Sequence, residues 1–195
     1  LGNLDKIPEY IAECKRTNIE ILKPSINESY TKFAVYGKQI RFGLGSIKNV
    51  GTAAVEYIVA ERKKNGNYSS FTDFCERVQG ETINKKCIES LIKAGAFDEL
   101  GETRRTLLES FEGVLDTISN ETKRSLQGQV TMFDMQIEED VDKHKYNITK
   151  KPEYDERTLL DMEKEMLGIY ISGHPLENLK KEILSHTNID SAKMK

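Results

Sequence analysis

The sequence predicts a mainly α fold with a small β hairpin near the N-terminus. Three observations carry that prediction. Apolar residues recur at helical spacing in most segments, from Ile7, Tyr10, Ile11 and Cys14 near the start to Leu159, Leu160, Met166 and Leu167 near the end. Short extended runs are confined to residues 19–42. Capping residues, glycines and prolines fall where the helical stretches should begin and stop.

The first helix covers residues 6–15 and ends at Thr17-Asn18. Ile19–Leu22 is a short extended run before Pro24. Residues 32–42 form the hairpin, with Tyr36-Gly37-Lys38-Gln39 at its centre. A lone hairpin is marginal in water, so this one must pack on another element. Residues 52–64 are helical, with Val55, Ile58 and Val59 as the apolar stripe. Glu61-Arg62-Lys63-Lys64 puts cations at the end the helix dipole favours, and Asn65-Gly66 stops the helix. Ser70 caps a short helix bearing Phe71, Phe74, Cys75 and Val78. Asn84 caps the next, with Ile88, Leu91 and Ile92 inward and Gly95 at its end. A longer helix runs over 103–119, with Leu107, Leu108, Phe111, Val114, Leu115 and Ile118 on one side. Residues 121–154 lose periodicity and read as a linker or mobile segment. The last helix covers 156–171 and stops at Gly173 and Pro175.

Composition narrows the function. Among 195 residues, 37% are hydrophobic and 31% charged, so a modest core and a thin, elongated or segmented body are expected. The net charge of −3 argues against a grip on nucleic acid by bulk charge, so any such contact must be local. Cys14, Cys75 and Cys87 lack C-x-x-C spacing and support neither zinc nor a disulfide framework; reduced thiols in the cytoplasm are the expectation. No apolar run is long enough to span a bilayer, so no membrane partner is expected. The chain opens on Leu1 rather than Met and is read as a piece of something larger. His144, His174 and His186 lie far apart in sequence, and neither a P-loop nor a nucleophile elbow occurs. No catalytic residue and no metal ligand is assigned.

Two turns carry the functional signal. At the first, Asn49-Val50-Gly51 reverses the chain and Thr52 opens a helix, with Lys48 adding charge beside it. A helix start offers free N–H groups to a phosphate, and a glycine lets the phosphate approach. The second turn, Lys93-Ala94-Gly95-Ala96, is followed by Arg104 and Arg105 at the start of the next helix. Cations there oppose the helix dipole, a cost that a phosphate contact would offset. One glycine-bearing turn alone reads most plainly as an ordinary connection between helices. Two in succession, joined by the Phe71–Val78 helix, read as a tandem helix-hairpin-helix module gripping a nucleic-acid backbone without reading bases. Gly43-Leu44-Gly45 is not a dinucleotide fingerprint, because Lys48 stands where the third glycine belongs. In the polar segment an apolar island, Gln129-Val130-Thr131-Met132-Phe133, has the chemistry of a docking peptide, Gln129 for a polar cleft and Met132 with Phe133 for an apolar pocket. Its plainer reading is a local apolar anchor.

With these residues placed, the chain resembles the bacterial DNA polymerase III alpha family, the C-family replicative polymerases. Residues 7–14 with 19–22 and 27–29 resemble the family's late fingers region. Residues 40–51 resemble the lead into its tandem helix-hairpin-helix module, which 70–75 and 91–98 continue. Residues 163–176 resemble the segment before its OB domain. The island at Gln129–Phe133 falls in the interval where that family carries its internal peptide for the sliding clamp.

The resemblance implies four stretches: 1–45, the end of the fingers region with the hairpin; 46–119, the tandem helix-hairpin-helix module; 120–155, a flexible segment with the clamp-binding peptide; and 156–195, a helix leading toward an absent OB domain. It implies a non-catalytic part of a DNA-directed DNA polymerase, whose palm, and the magnesium used there, lie elsewhere; this fragment has no cofactor of its own. The expected partners are duplex DNA, the sliding clamp, the remaining polymerase domains and other replisome subunits. The expected DNA-binding residues are Lys48, Asn49, Val50, Gly51, Thr52, Lys93, Gly95, Ala96, Arg104 and Arg105, and the expected clamp-binding residues are Gln129, Met132 and Phe133. Family turns often carry Gly where Asn49 stands, and Asn tolerates the left-handed φ such a turn needs. A free-standing helix-hairpin-helix adaptor and a purely structural helical spacer are the alternatives.

Overall fold

The computed structural model describes residues 7–78, 83–126, 146, 148–173 and 175. Its elements follow the predicted order: α1 (Ile7–Arg16), β1 (Glu20–Leu22), β2 (Ala34–Tyr36), β3 (Gln39–Arg41), α2 (Thr52–Asn65), α3 (Phe71–Arg77), α4 (Lys85–Lys93), α5 (Arg104–Leu126) and α6 (Glu156–Leu167). The fold is mainly α with a small sheet near the N-terminus.

The hairpin β2–β3 finds the partner it needs in the extended run before Pro24. β1 pairs parallel with β3, Ile21 opposite Ile40, and β2 pairs antiparallel with it, Val35 opposite Ile40, giving the order β1-β3-β2. The loop after β1 ties this sheet to the helices. Ser29 Oγ donates to the Phe42 carbonyl at 2.7 Å, and the buried Arg62 of α2 donates to the carbonyls of Ile26 and Ser29 at 2.7 and 2.9 Å. Ile26 N donates to the Ala96 carbonyl at 2.8 Å, joining the same loop to the end of α4. Gly43 and Gly45 serve close backbone packing: a Cβ on Gly43 would stand 2.6 Å from the Lys32 carbonyl carbon, and one on Gly45 2.7 Å from the Thr31 oxygen. That is a packing reason for two glycines, in agreement with setting the dinucleotide motif aside.

The caps act as their residue types predict. Ser70 Oγ accepts from Asp73 N at 3.0 Å at the start of α3, and Asn84 Oδ1 accepts from Cys87 N at 2.9 Å at the start of α4. Thr103 Oγ1 accepts from Thr106 N at 3.1 Å before α5. Asp155 Oδ1 accepts from Thr158 N at 3.0 Å before α6.

Two boundaries differ from the sequence reading. Helix α5 continues to Leu126, because extending an existing helix is cheap even after its apolar stripe ends. Helix α6 stops at Leu167, because Gly168 takes φ +76° and donates its N–H back to the Lys164 carbonyl at 3.0 Å. The apolar Ile169 and Ile171 beyond it mimic helical spacing, but Ile169 packs into the core from outside the helix.

The core is one continuous cluster, not the segmented body expected from composition. It runs from Ile26 and Phe42 through α2, α3, α4 and α5 to Met166, Leu167 and Ile169. Its centre is aromatic. Phe97, just after α4, meets Phe71 and Phe74 edge-on at 5.1 and 4.9 Å between ring centroids, and Tyr68 meets Phe74 at 5.1 Å. Residues 121–126 belong to α5, and 148–155 form a strap against its start, so these parts of the predicted linker are built into the fold.

Candidate nucleic-acid interface

The first bend begins where the short 3-10 turn Leu44–Ser46 gives way to residues 47–51. Val50 tucks into the core, leaving Lys48, Asn49, Gly51 and Thr52 exposed. Asn49 takes φ +63° and so supplies the left-handed residue of the reversal. Gly51 does not: its φ is −76°, extended, and a Cβ there would meet nothing within 4 Å. The left-handed position is thus the one where the family often carries glycine, and Asn49 holds it as its tolerance of that φ allows. Gly51 is instead the residue before the first turn of α2, its carbonyl accepting from Val55 N at 3.2 Å.

No side chain caps α2. Among the described residues, the N–H groups of Gly51, Thr52 and Ala53 donate to no acceptor. Three exposed donors at the positive end of a 14-residue helix, with the Lys48 ammonium adjacent in the chain, form a place for an anion. The bend is held rigidly from below. Lys48 N donates to the Met166 carbonyl at 3.0 Å, and Asn49 Nδ2 donates to Ser90 Oγ on α4 at 3.1 Å.

The second bend is built differently. Gly95 takes φ +78°, as a glycine at a helix end should. Its N–H, however, donates to the Ile92 carbonyl at 2.9 Å, and the Ala96 N–H donates to the Leu91 carbonyl at 3.0 Å. Both residues are buried. Their amides are therefore spent on closing α4 and cannot reach a phosphate, which corrects the expectation for Gly95 and Ala96.

Arg104 and Arg105 are also engaged. Arg104 is buried, its guanidinium against Gly95, with Nε and Nη2 on Asp98 at 2.9 and 2.8 Å, Nη1 on the Lys93 carbonyl at 3.1 Å and Nη2 on Glu163 at 3.4 Å. Burial alone would lower its pKa; the Asp98 and Glu163 carboxylates outweigh it and hold the pKa above its ordinary value. Arg105 pairs with Glu109 at 3.0 Å and lies over the Tyr154 ring at 5.7 Å. Lys93 pairs with Glu89 at 2.7 Å, which raises its pKa. The dipole cost of two arginines at the start of α5 is offset from within the chain. The Glu153 carboxylate accepts from Arg104 N at 2.7 Å and from Arg105 N at 3.2 Å, where a phosphate was expected.

The structure thus brings Lys48, Asn49, Gly51 and Thr52 to the surface of one bend; it corrects the expectation for Val50, which is buried with its N–H on the Ile47 carbonyl at 3.2 Å, and makes Gly95, Ala96 and Arg104 internal supports. Gln129, Met132 and Phe133 lie outside the described residues. Sequence reasoning missed Ser90, Glu153 and Glu163. Ser90 carried a faint signal, being a polar residue within the inward stripe of α4; the two glutamates act across 48 to 59 residues and carried none. Cys75 and Cys87 are buried thiols whose pKa values are pushed up by burial, that of Cys87 to about 11, so neither is a ready nucleophile. Among the described residues no group of three or more His, Cys, Asp or Glu could hold a metal ion, and no helix is long and apolar enough to cross a membrane.

Comparison with known proteins accords with this geometry. Residues 18–107 match the model of the helix-hairpin-helix motif, which takes in both bends. Over 97% of its length the chain is 42% identical to DNA polymerase III subunit alpha of Borreliella burgdorferi, covering 17% of that protein. It is 37% identical to the subunit of Saccharopolyspora erythraea over 98% of the chain and 16% of the relative. It is 40% identical to that of Thermus aquaticus over 88% of the chain and 13% of the relative. The chain spans about a sixth of the length of these curated relatives.

Proposed function

We propose that this chain, a relative of the DNA polymerase III alpha subunits along nearly its whole length, is the non-catalytic DNA-holding segment of a replicative DNA-directed DNA polymerase. It binds the backbone of duplex DNA without regard to sequence. One observation carries this reading: the start of α2 presents three exposed, uncapped N–H groups beside Lys48 on a bend fixed to α4. Backbone amides and a lysine grip phosphate oxygens and carry no base information. The second hairpin contributes rigidity, and its phosphate grip is left to the half-buried Lys93 and Arg105, which would exchange their Glu89 and Glu109 partners for the phosphate.

Primer extension and its magnesium belong to other parts of the longer protein, and this segment supplies no residue to that step. Tethering to the sliding clamp falls to Gln129, Met132 and Phe133, a reading supported by the peptide's chemistry and its place between the second bend and Ser172-Gly173. A cytoplasmic location follows from the replicative role.

The test is titration of the 195-residue chain with duplex DNA of unrelated sequences at low and moderate salt. Sequence-independent affinity that falls with salt supports the reading. No binding at low salt favours the structural spacer. For the clamp, Met132→Ala with Phe133→Ala should abolish capture by the purified clamp, and unchanged capture removes that assignment.

A further inference from the structure

Between Ser29 and Val55 the chain holds four cations, Lys32, Lys38, Arg41 and Lys48, and not one carboxylate, although the whole chain carries −3. The β2–β3 hairpin and the loop before it lie in this stretch, whereas β1 does not. Here the loop, β2, β3 and the end of α2 enclose an open groove of about 670 Å³, within the range of about 300–1,000 Å³ typical of small-ligand sites.

Two half-exposed aromatic rings line the groove, Tyr30 at 41% and Tyr36 at 48% exposure. Arg62 Cζ lies 5.2 Å and Lys63 Nζ 5.6 Å from the centre of the Tyr30 ring. Arg62 is committed to two backbone carbonyls, whereas Lys63 is exposed. Arg41 donates Nη1 to the Lys23 carbonyl and pairs Nη2 with Glu28, the one carboxylate lining the groove, while its buried Nε has no partner among the described residues. The groove therefore offers ring faces, an available ammonium and a guanidinium with its own counter-charge already satisfied.

We propose that this groove binds single-stranded nucleic acid, with bases stacking on Tyr30 and Tyr36 and the phosphate between them on Lys63. Ring faces select unpaired bases, because the faces of paired bases are covered by their neighbours in the duplex. The lack of base-reading groups makes the binding sequence-tolerant. This goes beyond the duplex contact at α2 and shares no residue with it, so either can fail alone.

The test is fluorescence anisotropy of a dye-labelled oligothymidylate with the full chain at low salt. Tyr36→Ala should weaken binding about tenfold, the scale of a lost base–aromatic stack. Lys63→Ala should weaken it and lower the salt slope by about 0.7, one single-strand phosphate contact. Both side chains are solvent-facing, and an unchanged circular dichroism spectrum excludes misfolding as the cause. Failure of the unaltered chain to bind the oligonucleotide, or unchanged affinity in both Tyr36→Ala and Lys63→Ala, overturns the proposal.

Discussion

Asn49 donates its side-chain amide to the hydroxyl of Ser90 at 3.1 Å while its own backbone sits at φ +63°. One residue thus makes the reversal of the first bend and fastens it to α4. The open amides of α2 keep their direction because the bend cannot swing.

Replacing Asn49 separates these two duties. Asn49→Ala keeps a Cβ in the left-handed region and loses the Ser90 contact, and should cost about 1–2 kcal/mol in urea unfolding. Asn49→Gly relieves the backbone and should cost less than the alanine change. Equal losses in both variants would show that the side-chain bond, not φ, dominates.

Gly51 and Lys48 report on function rather than stability. A Cβ at Gly51 meets nothing within 4 Å and the backbone is extended, so Gly51→Ala should shift stability by less than about 0.5 kcal/mol. Lys48→Ala should lower duplex affinity and reduce the salt slope by about 1, measured by anisotropy over a salt series.

Glu153 closes the start of α5 with a carboxylate on two amides. Glu153→Gln keeps the shape and removes the charge, and should cost about 1 kcal/mol in chemical denaturation, the scale of a helix-start interaction. The loss should shrink at high salt.

Glu163 and Arg104 form a buried pair at 3.4 Å, with 1% and 3% of their side chains exposed. Glu163 also accepts from Ile171 N and Ser172 N, at 3.3 and 3.1 Å, and so ties the chain after α6 to the second bend. Glu163→Ala leaves Arg104 with Asp98 as its carboxylate partner and should destabilise the fold by about 3–5 kcal/mol.

Alkaline pH should unfold the protein earlier than ordinary thiols and phenols would require. Burial raises the Cys87 thiol to about 11, that of Cys75 further, and the Tyr68 hydroxyl to about 12. The folded state then holds protons that the unfolded state releases, so this stability is complete below about pH 8.5 and is lost as pH rises through 11. The denaturation midpoint should fall over that window. At pH 8, Cys14 should react with a thiol reagent first, with Cys75 and Cys87 reacting only on unfolding.

The sequence made the local structure legible and hid the long-range contacts. Ser70, Asn84 and Gly95 act within four residues of themselves, so residue type alone placed them. The first bend was legible because its residues, 48–52, are contiguous. The second bend looked alike in sequence and proved closed: its amides turn back on the carbonyls of Leu91 and Ile92, and the arginines that follow it are met by Glu153 and Glu163, half a hundred residues on. The end of α6 was misplaced because Ile169 and Ile171 continue the apolar spacing past the glycine that stops the helix. The net charge of the whole chain concealed the cationic stretch at the β2–β3 hairpin.

The central claim, that amides at the start of α2 hold a phosphate, is tested most directly by following backbone amide resonances during titration with duplex DNA. Gly51, Thr52 and Ala53 should show the largest shifts, while Gly95 and Ala96, already bonded within the chain, should barely move. Saturating binding that leaves Gly51, Thr52 and Ala53 unperturbed would contradict it.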